Sequence, residues 1–438
     1  MDSAQTQQQQ AGQCPMSGQG TVDLAGMSLS DPAILAHPNA FYRAMRREDP
    51  VHYDSKLDMW LVSRYEDLQT VVKDPATFSL ERGYQAQYAK GFSDEFREIV
   101  IKDGGGFFGD PIMTDPPYHT RIRKLMESAF TAHRVKELEP RITAIVADLI
   151  ESFADKGEVD AVNEFSVPMT IRVICEQLGL GEFARDKIQG WSLAVTAQIG
   201  RMQTHEQMLE NAKQICELQN YLIRCIRERE AEPREDMISD LVHARSDDSE
   251  NPTLSFEEVV PLVRALLIAG NETTATAMSN LLFILATEPG IARQLADAVD
   301  DDRLLTRFVE ELLRLEPPVR GLARMTTRET ELGGAKLPAN AHLLLLFASA
   351  NDDEAVFPNP REFDMSRGNL GRHMAFSAGI HRCVGLSLAR MELKVAAREI
   401  VKRLDNIELA IPAQEIRYLP TIATHSIERL PLTFTRRQ

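Results

Sequence analysis

The sequence predicts a mainly helical fold with small β-sheets. Apolar residues recur at three- and four-residue spacings over long stretches, whereas runs with strand-like composition are short. The chain has 438 residues, of which 43% are hydrophobic and 26% charged, which is sufficient for a large core. Length alone allows two or three domains. We predict a single domain over residues 26–438, because motifs from both halves of the chain point to one site.

The individual elements follow from these patterns. Two short extended runs near the N-terminus, Val51–Asp54 and Met59–Ser63, predict strands of a small sheet. The stretches with helical periodicity are Arg141–Phe153, Pro168–Leu178, Gln207–Arg229 and Phe256–Thr287. Further strand-like runs follow at Glu331–Lys336, His342–Phe347 and Leu430–Phe434.

Composition excludes several classes of function. The net charge of −16 argues against nucleic-acid binding, which requires clustered cations. No apolar stretch reaches the roughly 18 to 20 residues of a spanning helix, so we expect no membrane anchor and a cytoplasmic protein. Residues 1–25 are rich in glutamine and lack an apolar core, which indicates a disordered tail rather than a signal peptide.

The cysteines do not form a recognisable framework. Their number is odd and none are closely spaced, so disulfides and a zinc site are not expected. The five positions are Cys14, Cys175, Cys216, Cys225 and Cys383.

The segment Leu80–Pro116 is the longest predicted loop. It contains a glycine-rich stretch that includes Phe107 and Phe108. These glycines do not follow a strand and open a helix, so a phosphate-binding loop is not indicated. A mobile lid over an apolar pocket is the better interpretation, because long loops in compact domains are often functional.

Cys383 lies in the most informative segment, Phe376–Gly385. Gly379 and Gly385 bracket the cysteine, and a helix is predicted from Leu386 to about Lys402. A metal-bound thiolate is tuned by backbone amides and by the positive end of a following helix, and glycines let the backbone approach closely. The alternative is an inert buried cysteine, which is the usual state of a lone cysteine.

A second motif lies inside the long helix. Ser255 and Glu258 predict a capping box at its start, and its middle contains Gly270, Glu272 and Thr273. Glycine and adjacent threonines weaken a buried helix, and a buried Glu272 needs a partner. A threonine hydroxyl can bond a carbonyl one turn back and open the helix locally. A tolerated polar break is the alternative.

These two segments together resemble the cysteine loop and the oxygen-binding helix of the cytochrome P-450 family. The resemblance extends from about Asp31 to the end and implies one helical domain around a buried haem b. It implies that Cys383 is the axial iron ligand. It further implies that Thr273 hydrogen-bonds dioxygen and that Glu272 relays protons. The other haem-contacting positions implied are Phe376, Gly379, Gly385, Ala269 and Gly270.

Two further groups of residues match the family. Glu311 and Arg314, three residues apart on one helix face, resemble its structural ion pair. A third member is expected before the cysteine loop, and either Arg361 or Arg367 could supply it. The haem propionates need cationic partners, and the candidates by family position are His119, Arg123, Arg324 and His381.

The resemblance implies a monooxygenase, most simply a hydroxylase. The chain has no flavin, nicotinamide or ferredoxin motif, so electrons are expected from a separate ferredoxin and its NAD(P)H-dependent reductase. The substrate is expected to be a small apolar molecule such as a terpenoid, steroid, aromatic or fatty acid. The chain is expected to be a monomer. The pocket candidates are Phe107, Phe108, Leu266, Ala269, Val319, Leu322, Ile422 and Ala423.

Cations near the cysteine segment form either a patch for an acidic donor or scattered solvated charges. They are Arg121, Lys124, Arg372, Arg382, Arg390 and Lys394.

Three alternatives remain open. A peroxygenase would use hydrogen peroxide and would not need the acid and alcohol of the long helix. A haem-thiolate sensor or binding protein would need the cysteine but neither a proton relay nor a redox partner. A haem-free helical scaffold would give no reason for the glycine-bracketed cysteine.

Overall fold

The computed structural model describes residues 24, 26–89, 93–127, 132–200 and 203–437. The predicted class is confirmed, because helices dominate these residues and the sheets are small. The expected disordered tail, residues 1–25, lies outside the described residues except for Leu24.

The helices before the middle of the chain are short at first and then lengthen. They are α1 (Pro32–Ala36), α2 (Asn39–Glu48), α3 (Tyr65–Lys73), α4 (Leu80–Ala89), α5 (Asp94–Asp103), α6 (Tyr118–Glu127), α7 (Ala132–Glu137), α8 (Glu139–Ala154), α9 (Val167–Leu178), α10 (Glu182–Gly200) and α11 (His205–Ala231).

The remaining helices include the longest one and the helix after the cysteine segment. They are α12 (Met237–Val242), α13 (Phe256–Thr287), α14 (Pro289–Ala298), α15 (Asp302–Leu315), α16 (Phe347–Asn351) and α17 (Leu386–Arg403). The bounds of α13 are those the periodicity predicts, and Ser255 and Glu258 form the predicted capping box.

The strands lie mostly near the two ends of the chain. They are β1 (Val51–Asp54), β2 (Met59–Val62), β3 (Phe78–Ser79), β4 (Glu158–Asp160), β5 (Gly321–Thr326), β6 (Thr330–Leu332), β7 (Ala335–Leu337), β8 (His342–Leu346), β9 (Leu404–Leu409) and β10 (Pro431–Arg436).

Distant parts of the chain meet in the sheets. The largest sheet has the order β1-β2-β8-β5-β3, and its β2 and β8 are parallel, with Leu61 opposite Leu344. A second sheet, β4-β10-β9, joins the chain end to the helical region. The sheet pairing places β5, which carries Arg324, beside β8.

Two sequence-based expectations are wrong. The stretch Glu331–Lys336 is not one strand but the hairpin β6–β7, because Gly333 and Gly334 take positive φ values of 56° and 84° and reverse the chain. The segment Leu80–Pro116 is not mainly loop, because it contains α4 and α5. Ser93 caps α5 by accepting from the amide of Phe96, whose side chain is buried.

Helix α13 runs through the core and positions the site. Its apolar residues join two large apolar clusters, one with α8 and α17 and one with α9 and α11. At Gly270 a Cβ atom would lie 3.1 Å from the Ile174 side chain, so the glycine lets α13 and α9 pack closely. Among the described helices, none is long and apolar enough to span a membrane.

Candidate functional site

The loop before α17 holds Cys383 in a constrained backbone. The Cys383 amide donates to the Phe376 carbonyl at 2.9 Å. Gly379 has a φ of 68°, and a Cβ atom there would lie 2.5 Å from the Val72 carbonyl oxygen of α3. Glycine is therefore required at 379 by its φ and by the approach of α3, since no side chain fits between them. A Cβ atom at Gly385 would be in ordinary contact with the Cys383 sulfur, at 3.9 Å.

The Cys383 side chain is accessible although many protein atoms lie around it. These atoms desolvate it and raise the pKa of its thiol. A backbone hydrogen bond at Gly385 and the charges of Arg123, Arg390 and Arg382 oppose that rise. Val384, the next residue, packs against the apolar cluster that includes α13. The sulfur is thus partly desolvated and has cations nearby.

One stripe of α13 is accessible although the helix lies in the core. Ala269 is exposed and Glu272 and Thr273 are partly exposed, whereas Leu267 and Ile268 are buried. The Thr273 hydroxyl donates to the Ala269 carbonyl at 2.8 Å, one turn back, as predicted for a helix-weakening threonine. The helix nevertheless remains α-helical from Phe256 to Thr287.

Glu272 holds its proton more tightly than an ordinary carboxyl group. Burial raises its pKa to about 7, and a hydrogen bond with Thr196 of α10 opposes that rise only in part. No charged group contributes to this shift among the described residues. The group is therefore about half protonated near neutral pH, which suits a proton donor and acceptor.

Asn271 fixes the same turn of α13 to two neighbouring helices. Its side-chain oxygen accepts from the Thr170 hydroxyl at 2.7 Å, and its amide donates to the Ser192 hydroxyl at 3.1 Å. Thr196 and these partners lie far from Asn271 in sequence, so sequence reasoning missed them. Only the helix packing brings the groups together.

Two histidines and two arginines from distant segments form a second part of the site. The rings of His119 and His381 have centroids 4.1 Å apart, and no ring nitrogen of either has a partner among the described residues. Arg324 is 2% exposed, and its guanidinium donates only to the Ala323 carbonyl within that part of the chain. We call His119, Arg123, Arg324 and His381 the histidine–arginine cluster.

The protonation of this cluster is suppressed. Burial, the neighbouring His119 and the charges of Arg324 and Arg123 lower the pKa of His381 to about 3. Burial also lowers the pKa of His119 and brings that of Arg324 to about 10. Arg123 pairs with Glu127 at 2.7 Å, whereas Arg324 is a buried cation without an anionic partner among the described residues. Because such a cation is costly, the side of the cluster that holds Arg324 is complementary to an anionic group.

Comparison with known proteins decides the family. The family model for cytochrome P450 matches residues 191–409. The chain is 34% identical over 412 residues to cytochrome P450 107B1 of Saccharopolyspora erythraea, which covers 92% of the chain and 98% of that protein. The chain belongs to the cytochrome P450 family. The resemblance seen in the sequence is thereby confirmed.

Other P450 relatives support the fold and the enzyme class. The structure of CYP109Q5 from Chondromyces apiculatus superposes with a TM-score of 0.81 at 34% identity, covering 94% of this chain and 98% of that one. The mycinamicin IV hydroxylase/epoxidase of Micromonospora griseorubida is 34% identical over 86% of this chain and 90% of its own length. This P450 is therefore a monooxygenase whose cofactor is haem.

The residues present fit haem. In the histidine–arginine cluster, His119, His381 and Arg324 have no carboxylate partner among the described residues, and Cys383 is an accessible thiol. Ala269 and Gly270 of α13 leave accessible surface without a bulky side chain. These three features match the carboxylates, the iron and the ring of the cofactor.

The structural ion pair of this P450 is buried and includes Arg367. Arg314 donates to Glu311 in a bidentate manner at 2.7 and 2.8 Å, and neither side chain is exposed. Arg367 donates to Glu311 at 3.0 Å, whereas Arg361 pairs with Glu316 at 2.6 Å. The choice between Arg361 and Arg367 is thus settled in favour of Arg367. We call Glu311, Arg314 and Arg367 the glutamate–arginine network.

The expected pocket residues divide into two groups. Ala269, Val319, Leu322 and Ala423 keep accessible surface. The others are packed or outward facing. Leu266 and Ile422 are buried in apolar clusters, Phe108 packs edge-on against Phe256 at 6.3 Å, and Phe107 lies 5.2 Å below the Arg97 guanidinium.

The glycine-rich loop after α5 is tied to α11 and α13. Gln219 is fully buried, and its amide donates to the Gly104 and Gly106 carbonyls at 2.6 Å each. Arg264 of α13 donates to Gln219 at 2.8 Å and to the Phe108 carbonyl at 3.3 Å. These contacts fix the glycine-rich loop, which the sequence predicts to be a mobile lid, to both helices. The sequence carried no signal for them, because glutamine and arginine on a helix are ordinarily solvated.

Proposed function

We propose that this P450 hydroxylates a small apolar substrate with dioxygen, that Cys383 is the axial ligand, and that Glu272 and Thr273 supply protons. The observation that carries the proposal is the accessible stripe of α13, where an otherwise buried helix presents a protonatable carboxyl beside a hydroxyl. A sensor would not need that pair, and a peroxygenase would not need its proton.

Each group of residues in the site has its own proposed role. Haem bound through a thiolate supplies dioxygen activation and oxygen insertion. The histidine–arginine cluster binds and orients its carboxylates. Glu272 holds a proton near neutral pH, and Thr273 presents a hydroxyl in the adjacent position of the same helix. Ala269, Val319, Leu322 and Ala423, whose apolar side chains keep accessible surface, would contact the substrate.

The first experiment is the absorption spectrum of the haem-loaded protein, reduced and exposed to carbon monoxide. We expect a strongly red-shifted Soret band that is absent in Cys383→Ala and retained in Cys175→Ala, whose cysteine is buried in the α9 core. A histidine-type band in wild type would contradict Cys383 as ligand. Dodecanoic acid, a monoterpene ketone and a steroid would then be screened for a shift of the oxidised Soret band on binding.

The proton-delivery role is tested with the substrate found in that screen. In Thr273→Ala, the fraction of electrons recovered as product should fall by about an order of magnitude or more, the range of positioned proton transfer. Thr274→Ala, a buried neighbour, is the matched control. Because Glu272 is protonated below a pKa of about 7, coupling should rise as pH falls through 7, and Glu272→Gln should flatten that profile. A flat wild-type profile would exclude Glu272.

We further propose that a separate ferredoxin delivers the electrons at the surface beside Cys383. Arg372 and Arg382 are exposed and have no ion-pair partner among the described residues. The other cations expected there are paired: Arg390 with Glu310, Lys394 with Asp302, Lys124 with Asp247 and Arg121 with Glu258.

Two unpaired arginines on an acidic protein would attract an acidic partner. Arg382→Glu should slow the first electron transfer from an acidic ferredoxin about tenfold at low ionic strength and weaken its salt dependence. Lys213→Glu, on α11, is the control. Equal rates in both variants would rule out this surface.

A further inference from the structure

A partly buried ion pair connects α17, the helix after Cys383, to α15. Arg390 of α17 donates to Glu310 in a bidentate manner at 2.6 and 2.7 Å. His373 contacts the same carboxylate, with its Nε2 at 3.2 Å. The Arg390 and Glu310 side chains are 22% and 12% exposed, so solvent screens their charges only in part.

The same arginine touches the cysteine loop. Its guanidinium lies 4.6 Å from the centroid of the Phe376 ring, within the range of a cation–π interaction. The His373 ring also packs near Phe376, at 5.9 Å. The Phe376 carbonyl accepts from the Cys383 amide at 2.9 Å. Arg390 therefore contacts the residue whose backbone holds the cysteine in place.

The Glu310 carboxyl group stays ionised at neutral pH. Burial raises the pKa of Glu310, but hydrogen bonds from His373 and Arg390 outweigh it and lower that pKa to about 2. The Arg390 charge is among those that act on the Cys383 sulfur. A cation at this position stabilises added negative charge, and the Glu310 carboxylate cancels part of that effect.

We propose that the Glu310–Arg390 ion pair sets the reduction potential of the haem, through Phe376 and the sulfur of Cys383. Arg390 and Glu310 are positioning and tuning residues and do not touch substrate. This inference rests on the proposed role of Cys383 as axial ligand. Reduction adds one electron from an external donor to the iron, so a net positive environment favours the reduced state and a net negative one opposes it.

The test uses the haem-loaded protein and two single variants that leave opposite charges. Arg390→Gln leaves Glu310 uncompensated and should lower the midpoint potential in a dithionite titration with mediators. Glu310→Gln leaves Arg390 uncompensated and should raise it. Each shift should correspond to about tenfold in the one-electron equilibrium constant, which is about 59 mV. The double variant should return close to wild type.

A matched control lies on the same helix. Arg398 of α17 is also 22% exposed and pairs with Glu139 at 3.3 Å, so Arg398→Gln should leave the potential unchanged. Arg390→Lys keeps the charge and should keep the potential, even if the bidentate geometry is lost.

Opposite shifts in the two single variants would support the proposal, because a purely structural disturbance would move both in the same direction. Shifts of the same sign, or none, would overturn it. If Arg390→Gln fails to bind haem, a rise in Glu310→Gln together with an unchanged potential in Arg398→Gln supports the proposal, and no rise in Glu310→Gln overturns it. If the wild-type carbon monoxide spectrum lacks thiolate ligation, the proposed function fails separately from this inference.

Discussion

The glutamate–arginine network and the histidine–arginine cluster are both buried and charged, but they are satisfied in different ways. In the network, both oxygens of Glu311 accept hydrogen bonds, and the remaining donors of Arg314 and Arg367 reach backbone carbonyls. In the cluster, His119 and His381 have no partner within the described residues.

This difference separates a structural site from a binding site. In the network, the attraction between Glu311 and the two arginines offsets the free-energy cost of removing their charges from water. The network therefore holds α15 to the segment before the cysteine loop. In the cluster, Arg123 pairs with Glu127. His119, His381 and Arg324, however, have no anionic partner among the described residues, and a negatively charged ligand would supply one. The orphaned donors, rather than the charged residues as such, are therefore where we propose that the haem carboxylates bind.

The largest effect is expected from breaking the network. Glu311→Gln removes the carboxylate that two buried arginines share, and should lower the free energy of unfolding by about 3–5 kcal/mol, measured by urea denaturation. Glu362→Gln is the control, because Glu362 contributes its carbonyl to Arg314 and Arg367, whereas its own side chain is exposed. Equal losses in both variants would show that Glu311 is not the centre of the network.

Removing a charge from the histidine–arginine cluster should weaken haem binding without lowering the stability of the apoprotein. Arg324→Gln removes a buried cation that lacks an anionic partner, so the apoprotein should keep or gain stability. Retention of haem should fall about 10- to 100-fold, measured by transfer to apomyoglobin, because a carboxylate loses its partner. Arg328→Gln, an arginine of the adjoining turn, should change neither quantity. Loss of apoprotein stability in Arg324→Gln would place Arg324 with the structural residues.

The smallest effect is expected at Arg361, and it tests whether Arg361 or Arg367 belongs to the network. Arg361 pairs with Glu316 at a site where the two side chains are 34% and 25% exposed, whereas Arg367 and Glu311 are 6% and 0% exposed. Arg361→Ala should therefore cost less than about 1 kcal/mol in thermal or urea unfolding. Arg367→Ala should cost several times more, and the reverse order would assign the network to Arg361.

The sequence alone determined the features that depend on near neighbours. The periodicity of α13, its capping box and the cysteine loop are patterns of residues within a few turns of each other, and each was found at its predicted place. Glu311 and Arg314 share one helix face, so their pairing was also predictable. The Gly333–Gly334 pair lies within a run of strand-like composition, so composition alone predicts one strand where the positive φ values of the glycines make a hairpin.

The tertiary structure decided the features that join distant segments. The selection of Arg367 over Arg361, the tie between Gln219 and the glycine-rich loop, and the contact of Arg390 with Glu310 each depend on how elements pack. Local pattern cannot specify these pairs, because a long charged side chain on a helix reaches many positions with similar energy. Only the packing of the whole chain fixes which acceptor lies within reach and whether water is excluded from it.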